Sequence, residues 1–325
     1  MPDRWVFHVK RKRPSCLISS AVPSGSKPET AVAAPLGAAT DMVLRRAVLL
    51  DKGRSSHQSY EVWDTPDFGR VYLLDGRLMA AEAVANYGHE ALIHPVALAH
   101  PEPRTALVLG GGDGGSAREL IRHPCIEAIT VVELDDAVVA LARRYLPAIH
   151  DGAFQNGRVR LTIGDAHAHV LANAESVAGV RYDLIVFDLT DPDGTAAALH
   201  EASFFAACKA CLRPGGAIVV QLGSPHYHRS QVVALVARLA QSFACVRPYL
   251  ADVPVYGGAW AFASASDALD PSGLDPVEIE RRVRARGLAV RHYNGNLHRA
   301  QFALPTDLQT ALRAALSNPQ FDGPT

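Results

Sequence analysis

The stretch Leu107-Val-Leu-Gly-Gly-Gly-Asp-Gly-Gly115, running on into Ser116-Ala-Arg-Glu-Leu120, decides the fold. Ala106 to Leu109 is an apolar run that reads as a buried strand, and Ser116 to Arg122 reads as the helix after it. Five glycines surround one aspartate, Asp113, in the turn between them. Without Cβ atoms such a turn can take positive φ and lie close against a ligand. Gly110, Gly112 and Gly115 fit the G-x-G-x-x-G nucleotide-binding pattern, which by itself serves many cofactors. Glu133 narrows the choice. It ends a second apolar strand, Ile129 to Val132, roughly 20 residues beyond the glycines, where nucleotide folds place an acid on ribose hydroxyls.

Outward from this turn, strands and helices alternate from Arg104 onward. Candidate strands are Ala106–Leu109, Ile129–Glu133, Val159–Ile163, Tyr182–Phe187 and Ala217–Leu222, with helical stretches between them. The alternation implies a mainly parallel α/β sheet with helices on both faces, and ligands at the carboxyl ends of its strands. Asp113, Glu133, Asp165 and Asp188 are thereby gathered along one rim. Phe262 to Ser264 reads as a further strand and Pro276 to Arg286 as a helix. Upstream, Val43 to Leu50, Ser59 to Trp63 and Arg70 to Leu74 look extended, with turns at Gly53, Pro66-Asp67 and Asp75-Gly76. The chain therefore divides into a flexible tail over 1–41, a small antiparallel β-domain over 42–82 and an α/β domain over 83–325. The tail carries a basic cluster, Lys10-Arg-Lys-Arg13, and reads as a flexible segment or the product of a start placed too far upstream, with a basic binding arm as the alternative.

The 325 residues are 48% hydrophobic and 20% charged, enough to bury a sizeable core, and the net charge of −1 speaks against nucleic acid or an anionic membrane as partner. No uninterrupted apolar run approaches about 18 residues, so no membrane span is expected. The five cysteines are few, odd in number and scattered, which suits a reducing compartment and a cytoplasmic protein.

A second informative stretch, Asp188-Leu-Thr-Asp191-Pro192, follows the apolar run Leu184 to Phe187. Two carboxylates three residues apart past a buried strand can face one pocket. The same residues also suit a turn whose Asp side chains accept backbone N–H bonds.

Taken together these residues resemble the spermidine synthase family of polyamine aminopropyltransferases, over about Ser56 to Ala314. Gly110 to Gly115 is similar to that family's glycine signature, Val132-Glu133-Leu-Asp135 to its ribose-binding strand end and Gly164-Asp165-Ala166 to its adenine-binding pair. Asp188 to Pro192 resembles the catalytic loop, and Pro254-Val-Tyr256 the segment beside the acceptor amine. Ser56-His-Gln58 resembles an early motif whose glutamine contacts the nucleoside, and His292 to Phe302 a carboxyl-terminal Tyr-Asn…His-Arg-Ala-x-Phe stretch. The resemblance implies a Rossmann-like, methyltransferase-type fold and a homodimer or tetramer. It places Gly110, Gly112, Glu133 and Asp165 on the nucleoside, and Gln58, Tyr87, His89, Asp113, Asp191 and Tyr256 on the substrates. Asp188 is the implied base. One departure concerns the acceptor: glycine, Gly88, stands at the expected tyrosine, with Tyr87 one residue earlier and Ala83-Val-Ala85 where an acidic pair is usual. Putrescine is the simplest acceptor, while cadaverine, diaminopropane, agmatine and spermidine stay open.

Charge favours the implied donor. Decarboxylated S-adenosylmethionine carries a sulfonium and an ammonium but no carboxylate, so Asp113 can pair with the ammonium. Against the carboxylate of ordinary S-adenosylmethionine, two like charges at about 4 Å cost about 1 kcal/mol in water and about 4 at an effective dielectric of 20. In the implied reaction an amine attacks the methylene beside the sulfonium and methylthioadenosine leaves. The donor is then a co-substrate, and neither cofactor nor metal is required. A methyltransferase of the same fold and a non-catalytic polyamine- or nucleoside-binding protein are the alternatives. A nicotinamide dehydrogenase would share the turn and Glu133 but gives Asp113 and Asp188 nothing to do. Cys208-Lys-Ala-Cys211 reads as a packed helix face, because no second cysteine pair completes a zinc site. His226-Tyr-His228 follows a strand and is placed at the pocket rather than on a metal. The Arg-rich helix at Glu278 to Arg286 reads as a solvated surface.

Overall fold

The computed structural model describes residues 30–189 and 194–317. A hairpin of β1 (Ala31–Gly37) and β2 (Thr40–Arg45) is followed by an antiparallel meander of β3 (Val48–Arg54), β4 (Ser59–Thr65), β5 (Gly69–Leu74) and β6 (Arg77–Ala81). Then come α1 (Ala85–Ala99), β7 (Thr105–Gly110), α2 (Gly115–Ile121), β8 (Ala128–Glu133), α3 (Asp136–Tyr145), α4 (Pro147–His150), β9 (Val159–Ile163) and α5 (Ala166–Glu175). The chain continues through β10 (Tyr182–Asp188), α6 (Ala202–Ala210), β11 (Leu212–Gly223), α7 (Arg229–Ser242), β12 (Cys245–Val253) and β13 (Gly258–Ser266). It closes with α8 (Pro276–Ala285), α9 (Gly295–Gln301) and α10 (Thr306–Ser317).

The main sheet has the order β12-β13-β11-β10-β7-β8-β9. Its β11, β10, β7, β8 and β9 run parallel, and β13 and β12 add an antiparallel edge. The architecture is therefore α/β with a mostly parallel sheet and a small antiparallel sheet before it. Successive strand residues point to opposite faces. Leu107, Leu109, Ile185, Phe187, Ile218 and Val220 enter one apolar layer, while Ala106, Val108, Leu184, Val186, Ala217 and Val219 enter the other. All twelve are at most 1% exposed, which is why these strands read as continuous apolar runs and not as alternating ones. Full burial of each large side chain contributes about 1.5–3 kcal/mol.

Three sequence expectations are corrected. Residues 31–37, assigned to a flexible tail, form β1, which pairs with β2 and buries Val32 and Ala34. Small alanines gave too little hydrophobic signal to reveal it. The single strand expected over Val43 to Leu50 is two strands, because Arg46 adopts a left-handed φ of 55° and turns the chain. The Arg-rich helix is not merely solvated. Arg282 donates to the carbonyls of Leu98 and Ala99, and Arg286 to those of Ala97, His100 and Pro101. Five carbonyls at and just beyond the end of α1, which lack helical partners of their own, are satisfied this way. Cys208 and Cys211 are buried in the apolar core as a packed face, and Cys125 and Cys245 are half-buried. No described helix is long and apolar enough to cross a membrane. Residues 1–29, with Cys16 and the basic cluster, lie outside the described residues, as do Asp191 and Pro192.

Arg286→Ala is expected to destabilise the fold by about 2 kcal/mol, since it strips three charged hydrogen bonds from carbonyls at the end of α1, two of them partly buried. Arg281→Ala, which loses only an exposed pair with Glu278, should leave the melting temperature unchanged. Thermal melts of the two variants side by side check this; equal melting temperatures would contradict the capping reading.

Candidate active site

Strands β8 and β9 lie to one side of β7 and β10 lies to the other. The loops leaving β7 and β10 therefore part in opposite directions and open a crevice at their carboxyl ends. Register sets both loops at one level: Asp188 lies opposite Gly110. The Gly111 N–H donates to the Asp188 carbonyl at 2.8 Å, tying the glycine turn to the end of β10. Gly110 has φ of 77°, and a Cβ there would sit 2.3 Å from that same carbonyl oxygen, so only glycine fits.

Asp113 and Asp188 line one cavity together with His89 from α1. The His89 ring lies so close to the start of α2 that a Cβ on Gly115 would meet it at 2.3 Å. Its Nδ1 lies 2.6 Å from the Ala85 carbonyl, which requires a proton on that nitrogen. Its Nε2 then faces Asp113 Oδ2 at 3.4 Å and Asp188 Oδ2 at 4.0 Å. Burial opposes charging of the ring, but the two carboxylates outweigh it and raise the His89 pKa to about 9. At neutral pH His89 is an imidazolium held between two aspartates. Burial also works against the Asp113 charge, yet His89 and the Gly115 N–H, 2.8 Å from Oδ1, hold its pKa below the usual value. Asp188 goes the other way. Burial first, and then the nearby Asp113, raise it to about 6 against the pull of His89. Its Oδ1 accepts from Gln221 Nε2 at 3.2 Å, its buried Oδ2 has no close hydrogen-bond partner among the described residues, and the Ser116 hydroxyl nearby also favours the ionised form.

On the far side of the glycine turn, Glu133 accepts the N–H groups of Gly112 (2.9 Å) and Asp135 (3.0 Å). Burial nevertheless lifts its pKa to about 7. Gly112 must be glycine here, since a Cβ would lie 2.7 Å from Glu133 Oε2. Gln58 is held at the cavity by a 2.9 Å bond from its Nε2 to Asp135 Oδ2, which also accepts from Ser55. Asp165 caps α5 by accepting the His167 N–H at 2.8 Å and also lines the cavity. Tyr256 lines it too, its hydroxyl donating to the Met79 carbonyl at 2.5 Å.

Ten of the residues singled out from the sequence thus surround one cavity: Gln58, His89, Gly110, Gly112, Asp113, Glu133, Asp165, Asp188, Tyr256 and His228. His226 and Tyr87 are not among its lining residues. The Tyr87 ring stacks on His292, with centroids 3.9 Å apart. The reason is helical geometry: two residues along α1 is a rotation of about 200°, so His89 facing the cavity turns Tyr87 away. Glu90, the next residue, is fully buried and accepts the N–H groups of Arg291, His292 and Tyr293, which fastens the carboxyl-terminal stretch beneath the site.

Among the cavity residues that sequence reasoning missed, four carry polar or aromatic surface or come from the supposed tail. Tyr72 sat unremarked inside the apolar run of β5, Gln221 and Trp260 inside apolar β11 and β13, and Leu36 in the supposed tail. A lone polar or aromatic residue near the carboxyl end of a buried strand was the signal available for Gln221.

The chain matches the family model described as the spermine/spermidine synthase domain over residues 86–272. It is 41% identical over 279 residues to a polyamine aminopropyltransferase of Nitrosomonas europaea, covering 86% of this chain and 84% of that one. It is 38% identical over 276 residues to polyamine aminopropyltransferase 2 of Hyperthermus butylicus, covering 84% and 89%. A crystal structure of spermidine synthase in complex with the transition-state analogue AdoDATO superposes with a TM-score of 0.82 at 28% identity, covering 90% of this chain and 98% of that one.

The His89 charge makes the ligand-free protein's stability pH-dependent. Its pKa is raised from 6.5 to about 9, so the stabilisation is fully present below about pH 6.5 and is lost as pH rises through about 9. The stability difference between the protein and His89→Gln should therefore shrink by about 2–3 kcal/mol between those limits. Denaturant titrations across the range measure it, and a difference that stays constant would show an uncharged ring.

Proposed function

The chain belongs to the spermine/spermidine synthase family and is a polyamine aminopropyltransferase, and we propose that Asp188 is the base that activates its acceptor amine. The observation that carries the assignment is the pairing of Asp113 and Asp188 across one buried imidazolium, in a cavity closed by the glycine turn. Two carboxylates sharing one cation leave a net negative charge in a low-dielectric setting. A nucleoside bearing a sulfonium and an ammonium answers that charge, and a second carboxylate on the ligand would not.

In this reading decarboxylated S-adenosylmethionine is a co-substrate. Glu133 takes the ribose diol, Asp165 the adenine amino group, Gln58 the nucleoside, and Asp113 the ammonium of the aminopropyl arm. Gly110 and Gly112 let the backbone approach. The acceptor enters on the Tyr256 side with its distal ammonium at Asp191. Tyr72 of β5 supplies, from another element, the phenol that Gly88 lacks. Putrescine is the simplest acceptor and spermidine the product. The aminopropyl methylene loses its bond to sulfur as it gains one to nitrogen, methylthioadenosine departs, and the amine's proton passes to Asp188.

The raised pKa of Asp188 matters quantitatively. An alkylammonium has a pKa of about 10.4, so transfer to an ordinary aspartate at 3.8 is uphill by roughly 9 kcal/mol, and to one at about 6 by roughly 6 kcal/mol. Burial next to Asp113 thus removes about a third of the cost of forming the nucleophile.

Incubation with decarboxylated S-adenosylmethionine and a panel of diamines should release methylthioadenosine and aminopropylated product, read by mass, and ordinary S-adenosylmethionine should give neither. Asp188→Asn is expected to lower kcat by about 10²–10⁴-fold with the affinity for methylthioadenosine little changed. Turnover near the parent rate in that variant would remove Asp188 as the base.

A further inference from the structure

Three neighbouring strands carry a hydrogen-bonded chain that ends on Asp188. Asp188 closes β10, one residue beyond the Phe187 and Val220 pair, which brings Gln221 of β11 alongside it. Gln221 lies opposite Phe262 of β13, and Trp260, two residues away, shares that face. Trp260 Nε1 donates to Gln221 Oε1 at 3.2 Å, and Gln221 Nε2 donates to Asp188 Oδ1 at 3.2 Å. All three side chains line the same cavity.

The order of donors and acceptors along this chain is forced. The indole N–H can only donate, and an ionised carboxylate can only accept. The amide between them therefore satisfies both neighbours in one orientation: oxygen toward Trp260, nitrogen toward Asp188. Turned over, it would set an N–H₂ against the indole N–H and an oxygen against the carboxylate. Trp260 is itself braced by Tyr256, whose ring centroid lies 4.6 Å away.

We propose that Trp260 and Gln221 are positioning residues for Asp188, holding one carboxylate oxygen so that the charge and orientation of the base are fixed. The proposal rests on Asp188 being the base. Without the indole donor the amide is free to rotate, and its hydrogen bond to Oδ1 weakens. The carboxylate then loses stabilisation of its charged form and its fixed orientation together. The titratable groups facing Asp188 are His89 from α1, Asp113 from the glycine turn, Glu133 from β8 and Tyr72 from β5. Any test must leave these four in place.

Trp260→Phe keeps the aromatic ring beside Tyr256 and removes only the donor, while Gln221→Met keeps the length and removes the amide. With both substrates saturating, each is expected to move the acid limb of the kcat profile up by about one pH unit. That is a loss of about fivefold near pH 6 that fades above about pH 8. The double variant should shift no further than either single one, because the two act through one hydrogen bond. Methylthioadenosine affinity, measured in parallel, should not change. If Trp260→Phe does not fold, Gln221→Met alone carries the same acid-limb test. An acid limb that stays in place, with only a pH-independent rise in acceptor KM, would overturn the proposal and leave Trp260 as a wall of the pocket. Failure of the underlying base assignment looks different: Asp188→Asn itself would then turn over normally.

Discussion

Two aspartates held against one buried imidazolium form the contact on which the rest of the site depends. Asp113 and Asp188 arrive from different strands, and either one alone in this cavity would face a large desolvation cost. His89 offsets it, 3.4 Å from the first and 4.0 Å from the second. Burial pushes both carboxyls up, but the nearer His89 and the Gly115 N–H hold Asp113 down while Asp113 itself pushes Asp188 further up. Asp113 is held below its usual pKa, while Asp188 rises to about 6. Acid and base assignments in active sites commonly follow from such divergence of neighbouring groups.

The backbone is shaped around that contact. His89 can stand where it does because position 115 has no Cβ, and the turn can lie against the end of β10 because position 110 has none. The parallel register at Gly110 and Asp188 then fixes the separation of the two loops. A side chain at either glycine would act on the chemistry by moving His89 or the Asp188 carbonyl, without touching a substrate. The support extends outward: Glu90, adjacent to His89, is bound by three backbone N–H groups of the carboxyl-terminal stretch, and α1 is capped by Arg282 of α8 and Arg286 just past its end. A helix that carries a charged active-site residue is thus pinned at both ends.

Aromatic residues from several elements line the cavity. Gly88 replaces the expected tyrosine, and Tyr87 packs on His292 away from the cavity. Aromatic surface is supplied by Tyr72, Tyr256 and Trp260 on three other elements, and the amino-terminal hairpin adds Leu36, whose side chain packs against Gly257. This wall of the cavity is therefore built from residues far apart in the chain.

The parallel sheet, its glycine turn and the acids at strand ends were legible in the sequence. They are local facts: a buried parallel strand is an unbroken apolar run, a tight turn needs glycine, and strand topology sends successive carboxyl ends to one rim. The aminopropyltransferase family was legible for the same reason, in motifs that each lie within a few residues. Strand β1, the division at Arg46 and the capping by Arg282 and Arg286 were not, because alanines, a single left-handed residue and arginines carry no periodic signal. Nor could the sequence say that Tyr87 faces away, that Tyr72 faces in, or that Trp260 orients Gln221 on Asp188. Those depend on helix rotation and on pairing between distant strands. The His89 charge is the plainest case: an imidazole in isolation titrates near 6.5, and only the folded placement of two carboxylates beside it moves that to about 9.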